Sequence, residues 1–483
     1  MYLFKIDSYQ FLFRRKHPAT LGLLRIAFGI LMTWQFPSIQ EYILFLVKDS
    51  KFFLTYDFFH WVKPVSYETM QTLFVIGYIS AIALMLGFMH RIASVLVFLI
   101  WTYIFLLCRG HYTNHYYLFA IVAFWLSVSD ANRWASIDLL LYKYLPFTRS
   151  WILGFGEDKT TVPYWQIFIF KIQLAIVYFY GGLAKFSWDW FQGYPMRMWL
   201  PKKPWLPDIM KTEFVAIFMS WTGMLFDVLI GFVLLSKYRK WGIPFVLSFH
   251  LLNEFTFRTI GGFPHFMAAS TMVFFDPYWP QALIDWFKNG FKKAKTSAGH
   301  VADVVQPILI KGKQKLFLGF FLSYLTWQIL FPFRHFLYPG DPSLTGEGSC
   351  FAWRMMLTSR DFGLKMKIKV NNETFYITNY AWLSYINERQ FTRLGRMPKT
   401  LHRFAIYLRD EMRKTDPNLE PEINGFLIVK YNGRPYRHMV DTTVNLAATP
   451  YKQLGHSEYL QGMYMDDPPG ERYKEEIEIF GGF

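Results

Sequence analysis

The sequence predicts a mainly α protein: a polytopic membrane bundle of about nine helical spans, followed by a smaller β-rich α+β domain outside the membrane. Three observations carry this. Of 483 residues, 53% are hydrophobic and 20% aromatic, against 18% charged, and Gly and Pro fall inside apolar stretches rather than between them. Apolar windows long enough, at roughly 17–25 residues, to cross a bilayer recur along the first two thirds of the chain. From about Leu364 onward, short alternating runs and turn signals replace them.

The windows fall at 19–37, 69–88, 92–108, 116–128, 166–184, 214–235, 241–260, 264–275 and 316–332, the fourth and eighth being short. The first follows Arg14-Arg15-Lys16 and runs on with Arg25 inside it, so a retained span is expected rather than a cleaved signal peptide. Short-loop Lys and Arg residues set orientation. Arg14, Arg15 and Lys16, then Lys237, Arg239 and Lys240, then Lys288, Lys292, Lys293, Lys295, Lys311, Lys313 and Lys315 all fall on one side of a nine-span chain, the cytoplasmic one. Residues 109–115, 185–213, about 253–263 and everything after about 333 then lie outside, where Lys202, Lys203 and Lys211 run against the rule. The domains expected are 1–333 in the membrane and 334–483 on the periplasmic or lumenal side.

In the outer domain, KMKIKV, Asn371-Asn372 and ETFYITN read as a hairpin. Residues 398–415 have helical spacing. GFLIVKY, Asn432-Gly433 and RPYRHMV read as a second hairpin, and 471–478 as a loose charged tail.

Several function classes recede. The net charge of +16 fits cytoplasmic anchoring near anionic lipid, not nucleic acid. Cys108 and Cys350 are too few for a disulfide framework, and no His pair stands at i, i+4 with a carboxylate, so no metal is expected. A transporter lacks its repeated halves.

Polar residues in or beside membrane spans are functional candidates. Four clusters qualify: Asn114-His115; Lys185 with Trp188, Asp189 and Trp190; His250 with Asn253 and Glu254; and Arg354-Met355-Met356. The nine-span count brings all four to the outer leaflet. Each also has a plain reading. Asn114 caps a helix starting near Tyr116, Lys185 snorkels between Trp belt anchors, His250 and Asp227 make inter-helix hydrogen bonds, and the methionines pack.

Taken together, TNHYYLFAIVAFWLSV (113–128), IVYFYGGLAKFSWDWFQGY (176–194), FHLLNEFTFRTIGGFPHFMAAS (249–270), RHFLYPG with FAWRMMLTSR (334–360) and VDTTVNLAATPYK (440–452) resemble the vitamin K-dependent gamma-glutamyl carboxylases and their bacterial relatives with the HTTM membrane domain. The resemblance covers nearly the whole chain. It implies Lys185 as the base on reduced vitamin K and His115 as the histidine assisting carboxylation. It implies Asn114, Phe263, Met267, Met355 and Met356 about the cofactor, with His250 a further candidate.

The implied reaction oxidises a reduced naphthoquinone, phylloquinol or menaquinol, with O2 to its epoxide. The strong base so formed carboxylates peptidyl glutamate with CO2. A glutamate-containing protein substrate and a vitamin K-reducing enzyme are the implied partners. A lysine can take a hydroquinone proton near neutral pH only where an apolar site tunes it, and a strong base survives only away from water. The chain departs from the animal enzymes at Ala184, where they carry a second lysine, and lacks counterparts of their disulfide cysteines. Two alternatives stay open: quinol epoxidation without carboxylation, and a non-catalytic quinone- or lipid-binding scaffold.

Overall fold

The computed structural model describes residues 6–145, 160–258, 261–289 and 312–462. Lys292, Lys293, Lys295 and Lys311, and the charged tail 471–478, lie outside the described residues. All nine apolar windows fold as helices: α1 Ala19–Asp49, α2 Tyr67–Leu86, α3 His90–Leu107, α4 Asn114–Ser127, α5 Trp165–Leu183, α6 Glu213–Leu235, α7 Arg239–Thr256, α8 Phe263–Ser270 and α9 Lys313–Leu330.

Six are long and apolar enough to cross a membrane: α1, α2, α3, α5, α6 and the segment Lys313–Leu337 that contains α9. The other three differ for stated reasons. Helix α7 carries Arg239, Lys240 and Glu254, α4 has 14 residues, and α8 has 8, extended only by a 3-10 turn over Thr271–Phe274. At 1.5 Å per residue α4 is about 21 Å long, short of a hydrocarbon core of about 30 Å. A span made through α4 would leave one of its ends recessed.

Helix α1 errs the other way. Its window closes at 37, yet the helix passes through Pro37 to Asp49 and spans 31 residues, about 46 Å. The excess reaches the C-terminal domain, where Lys51 N donates to Tyr385 O at 3.1 Å and Gln390 Nε2 to Phe52 O at 2.6 Å.

The loops gather at two ends. At one, buried Arg25 donates to the α2 C-terminal carbonyls of Leu84 (2.9 Å) and Met85 (2.8 Å) and to Ala135 O (2.6 Å), satisfying groups that a helix end leaves without partners. Thr20 bonds Pro277 O there, and Arg91 bonds Asp130. At the other, residues 50–62, 109–114 and 185–190 meet the C-terminal domain.

That domain holds a four-stranded antiparallel sheet of β1 Arg360–Val370, β2 Glu373–Ile377, β3 Glu422–Tyr431 and β4 Arg437–His438, in the order β2-β1-β3-β4. Helices α10 Glu388–Arg396 and α11 Lys399–Thr415 pack on it. The first expected hairpin forms, Val370 facing Glu373, with Asn371 and Asn372 at φ 48° and 66° as a two-residue primed turn requires. The second turn also forms at Asn432-Gly433, with φ of 50° and 82° and Arg434 N donating to Tyr431 O at 3.0 Å, but the strands part directly beyond it. Strand β3 pairs along its length with β1, and β4 rejoins it only at Val429 opposite Arg437. The intervening residues are drawn away because Asn432 and Arg434 bond Asp189 in the membrane half.

Candidate functional site

Helices α5 and α6 cross closely through small residues: a Cβ on Gly182 would lie 2.5 Å from Val228 N, and one on Gly231 3.1 Å from Ala175 Cα. This crossing brings Asp227 of α6 to Lys185, two residues past the end of α5. Lys185 Nζ donates to Asp227 Oδ2 at 2.5 Å and to Gly181 O at 3.0 Å, and lies 5.5 Å from the Trp190 ring centroid. Both side chains are about one-tenth exposed, at 11% and 10%. The setting of Lys185 is thus not purely apolar. A carboxylate stands against it, and Asp227, read from the sequence as an inter-helix bonding residue, makes that bond to Lys185.

Tyr178 lies seven residues before Lys185 on the α5 side and bonds His250 Nε2 at 2.6 Å through its hydroxyl. The His250 ring is 6.4 Å from Phe263, and Phe263 is 5.8 Å from His115. One continuous series of contacts therefore runs from the α5 face through His250 and Phe263 to His115. Among the described residues His115 makes ring contacts only, with Tyr116, Phe119 and Phe263, leaving its nitrogens uncommitted.

The neighbouring Asn114 is engaged on both sides. It accepts from Tyr112 Oη and donates to Arg354 O, each at 2.8 Å. The cap of α4 is Thr113, so Asn114 is free to tie the helix start to the segment after the last span. In that segment Phe351, Trp353 and Met356 have φ of 58°, 56° and 50°, left-handed backbone that non-glycine residues enter only under constraint. The twisting sends adjacent methionines apart. The Met355 terminal methyl lies against Gly181, one turn before Lys185, whereas Met356 lines a separate cavity with Arg354 and Arg360. Met267 is 1% exposed within the apolar core.

Asp189 is also buried. Arg434 grips both its oxygens at 2.6 and 2.7 Å, and Asn432 Nδ2 adds a bond at 2.7 Å. Trp190 covers Lys185 and bonds Ser220 O, rather than anchoring at the interface as expected; Trp188 is the exposed one, at 71%.

Two family models cover this arrangement. Residues 13–279 match the HTTM domain, and residues 313–466 match the lumenal domain of vitamin K-dependent gamma-carboxylase. The chain belongs to the gamma-carboxylase family. No solved structure matches it. It is accordingly a membrane protein with a lumenal domain, and the two matches support vitamin K-dependent carboxylation as its general activity.

The membrane and lumenal parts of this gamma-carboxylase share the site: Lys185, Asp227, His250, Phe263 and His115 come from one, Met355 and the Arg354 carbonyl from the other. Sequence reasoning missed the Lys185–Asp227 pair. The signal is present, since Gly181-Gly182 and Gly231 mark a close crossing of the helices that bear it. It also missed His111, 6% exposed, whose imidazole burial and then the Arg389 guanidinium hold down to about 3. Cys108 and Cys350 are both buried and free.

Proposed function

We propose that this protein is a vitamin K-dependent gamma-glutamyl carboxylase and epoxidase, coupling oxidation of a reduced naphthoquinone by O2 to carboxylation of peptidyl glutamate by CO2. The observation that carries the reading is the buried Lys185–Asp227 pair at the end of α5, the helix whose Tyr178 bonds His250 and through it and Phe263 leads to His115, inside a chain that belongs to the family.

The residues present fit a lipid-soluble aromatic ring. Gly181 leaves its helix face without a side chain, between the Met355 methyl and Asp227 Oδ2, at 3.3 and 3.8 Å from where a Cβ would sit. Phe263 and the two histidines supply flat contacts. In this reading Met355, Phe263 and Asn114 border the quinol, with Met356 and Met267 further out. When bound, the reduced naphthoquinone supplies, with O2, the base strong enough to remove a glutamyl γ proton.

The chain's own part is to move one proton and hold one negative charge. An ion-paired ammonium has donors only, so the proton acceptor of the pair is the Asp227 carboxylate. Lys185 has three N–H bonds and uses two, on Gly181 O and Asp227. The third is left to stabilise an oxyanion in a site shielded from water, where such a donor is most effective. His115, with both nitrogens uncommitted, serves the carboxylation half.

We further read the chain as crossing the membrane nine times, with a cytoplasmic N terminus, the membrane catalytic part in 1–333 and the substrate-docking part in 334–483. The two-ended clustering of the loops supports that count. The recessed end of α4 is then the His115 end, below the outer surface. The peptide substrate arrives from the lumenal side, the quinol arrives laterally, and a separate vitamin K-reducing enzyme regenerates it.

The test gives purified protein in nanodiscs reduced vitamin K, O2, radiolabelled bicarbonate and a glutamyl peptide, with Lys185→Ala as control. Epoxide plus acid-stable label, both lost in the variant, is the expected result. Epoxide without label points to quinol epoxidation alone. Neither product, from folded protein, returns the weight to a non-catalytic quinone-binding scaffold.

A further inference from the structure

A cavity of about 420 Å³ opens beside His115, bounded by Tyr112 and His111 from the membrane half and by Arg389, Arg393 and Arg396 from α10. The three arginines follow a 4–3 spacing that puts them on one face of the helix. Tyr112, Arg393 and Arg396 also border the cavity of about 520 Å³ that holds Met356 and Arg360, so they stand between the two spaces.

Their charge is not neutralised locally. Arg389 Nη1 donates to His111 Nδ1 at 3.3 Å and its guanidinium lies 4.4 Å from the Tyr42 ring; Arg393 Nη2 donates to Tyr112 O at 2.7 Å. Asp361 acts on Arg396 only at longer range, and among the described residues none of the three is in ion-pair contact with a carboxylate. A guanidinium has no acceptor, so the bond from Arg389 fixes the proton of neutral His111 on Nε2. That Nε2–H is buried without a partner. Three unneutralised guanidiniums around one space next to His115 are the elements of a carboxylate receptor.

Building on the carboxylase reading, we propose that Arg389, Arg393 and Arg396, the first held in place by His111, form a subsite that receives the side-chain carboxylate of the peptide substrate's glutamate and presents its γ carbon toward His115. The donors sit on the lumenal side of His115, the side from which a peptide enters. The planar fork of arginine matches a carboxylate in two bonds, whereas CO2 is uncharged and draws nothing from them.

The experiment uses full-length protein in nanodiscs and a short fluorescent peptide carrying one glutamate, against the same peptide with glutamine. Wild type is expected to prefer the glutamyl peptide. Arg393→Gln and Arg396→Gln should each weaken its binding roughly 10- to 100-fold while leaving the glutamine peptide within about two-fold, the scale of one charge-assisted hydrogen bond. The Arg396 side chain bonds no backbone group among the described residues, so it carries the test if Arg393→Gln fails to fold.

Steady-state kinetics should show the same rise in KM for peptide and none for bicarbonate. Unchanged glutamate preference in folded variants overturns the subsite, as does a rise in KM for bicarbonate alone. If wild type yields neither epoxide nor fixed CO2 yet loses its glutamate preference in the variants, the subsite stands and the reaction falls. Turnover by wild type with unaltered preference in the variants leaves the reaction standing and removes the subsite.

Discussion

Replacing Asp227 by Asn keeps the size of the side chain and a carbonyl that can accept from Lys185, and removes the negative charge. With both partners only about one-tenth exposed, the loss leaves a buried ammonium without its counter-charge. Breaking a buried pair in this way costs about 3–5 kcal/mol. If Asp227 is the proton acceptor, the carboxamide cannot replace it, and a general base contributes roughly 10²- to 10⁴-fold to rate. Epoxide formation under saturating reduced quinone should therefore fall by at least about 100-fold, together with a lower thermal midpoint in nanodiscs. The companion is the double variant Lys185→Met with Asp227→Leu, which removes both charges. Its stability should return most of the way to wild type, because no charge is left unpaired, while activity stays lost. An Asp227→Asn protein that epoxidises at the wild-type rate would refute the proton-acceptor role. Additive destabilisation in the double variant would refute the pairing itself.

His115→Ala should reduce CO2 fixation more than epoxide formation, measured in the same tube, because His115 makes no contact with the Lys185–Asp227 pair among the described residues. Arg434→Ala removes two of the three bonds to buried Asp189 and should lower stability by about 3–5 kcal/mol, with faster hydrogen exchange over 422–438; unchanged exchange there would discount the clamp. Gly182→Ala puts a methyl 2.5 Å from Val228 N and should cost about 1–3 kcal/mol and depress epoxidation by spreading α5 from α6. His111 gives a pH dependence. Its folded value near 3 lies below the ordinary 6.5, so between these the unfolded chain binds the proton that the folded one does not. Stability present above pH 6.5 is then lost as pH falls toward 3, by up to about 1.4 kcal/mol per unit. A His111→Asn protein should show a flatter melting profile over that window.

Hydropathy is enough to find the six described helices that are long and apolar enough to cross a membrane, because burial in lipid demands apolar residues whatever the packing. It misjudges lengths where another constraint takes over. Pro37 suggests a break, but α1 is held beyond it by Gln390 and Tyr385 of the distant domain. The turn at Asn432-Gly433 forms as its signal indicates, yet the ladder beyond it is interrupted where Arg434 turns away to bond Asp189, 245 residues away. Helix α10, ERQFTRLGR, offers too little apolar periodicity to be seen, although its capping box, Asn387 with Gln390, stands in the sequence. The site residues legible in one dimension are the ones whose chemistry is conspicuous in an apolar run. Asp227 looks structural there because Gly181-Gly182 and Gly231 signal a close helix crossing without saying which side chains it pairs, and the carboxylate that meets Lys185 lies 42 residues away.

The two halves are also coupled at the chemistry. Asn114 fixes the start of α4, and with it His115, by donating to Arg354 O; Asp189, four residues after Lys185, is held by Arg434. A load on the lumenal sheet thus reaches the residues flanking both the Lys185–Asp227 pair and His115 through two short sets of hydrogen bonds. Peptide docking can therefore tighten the catalytic geometry without any helix shifting. If so, saturating glutamyl peptide should raise the rate of quinol oxidation in wild type, and Arg434→Ala should abolish that stimulation while sparing the peptide-free rate. An equal stimulation in both proteins would mean that the peptide acts only by occupying the site and that the Asp189 clamp carries no signal.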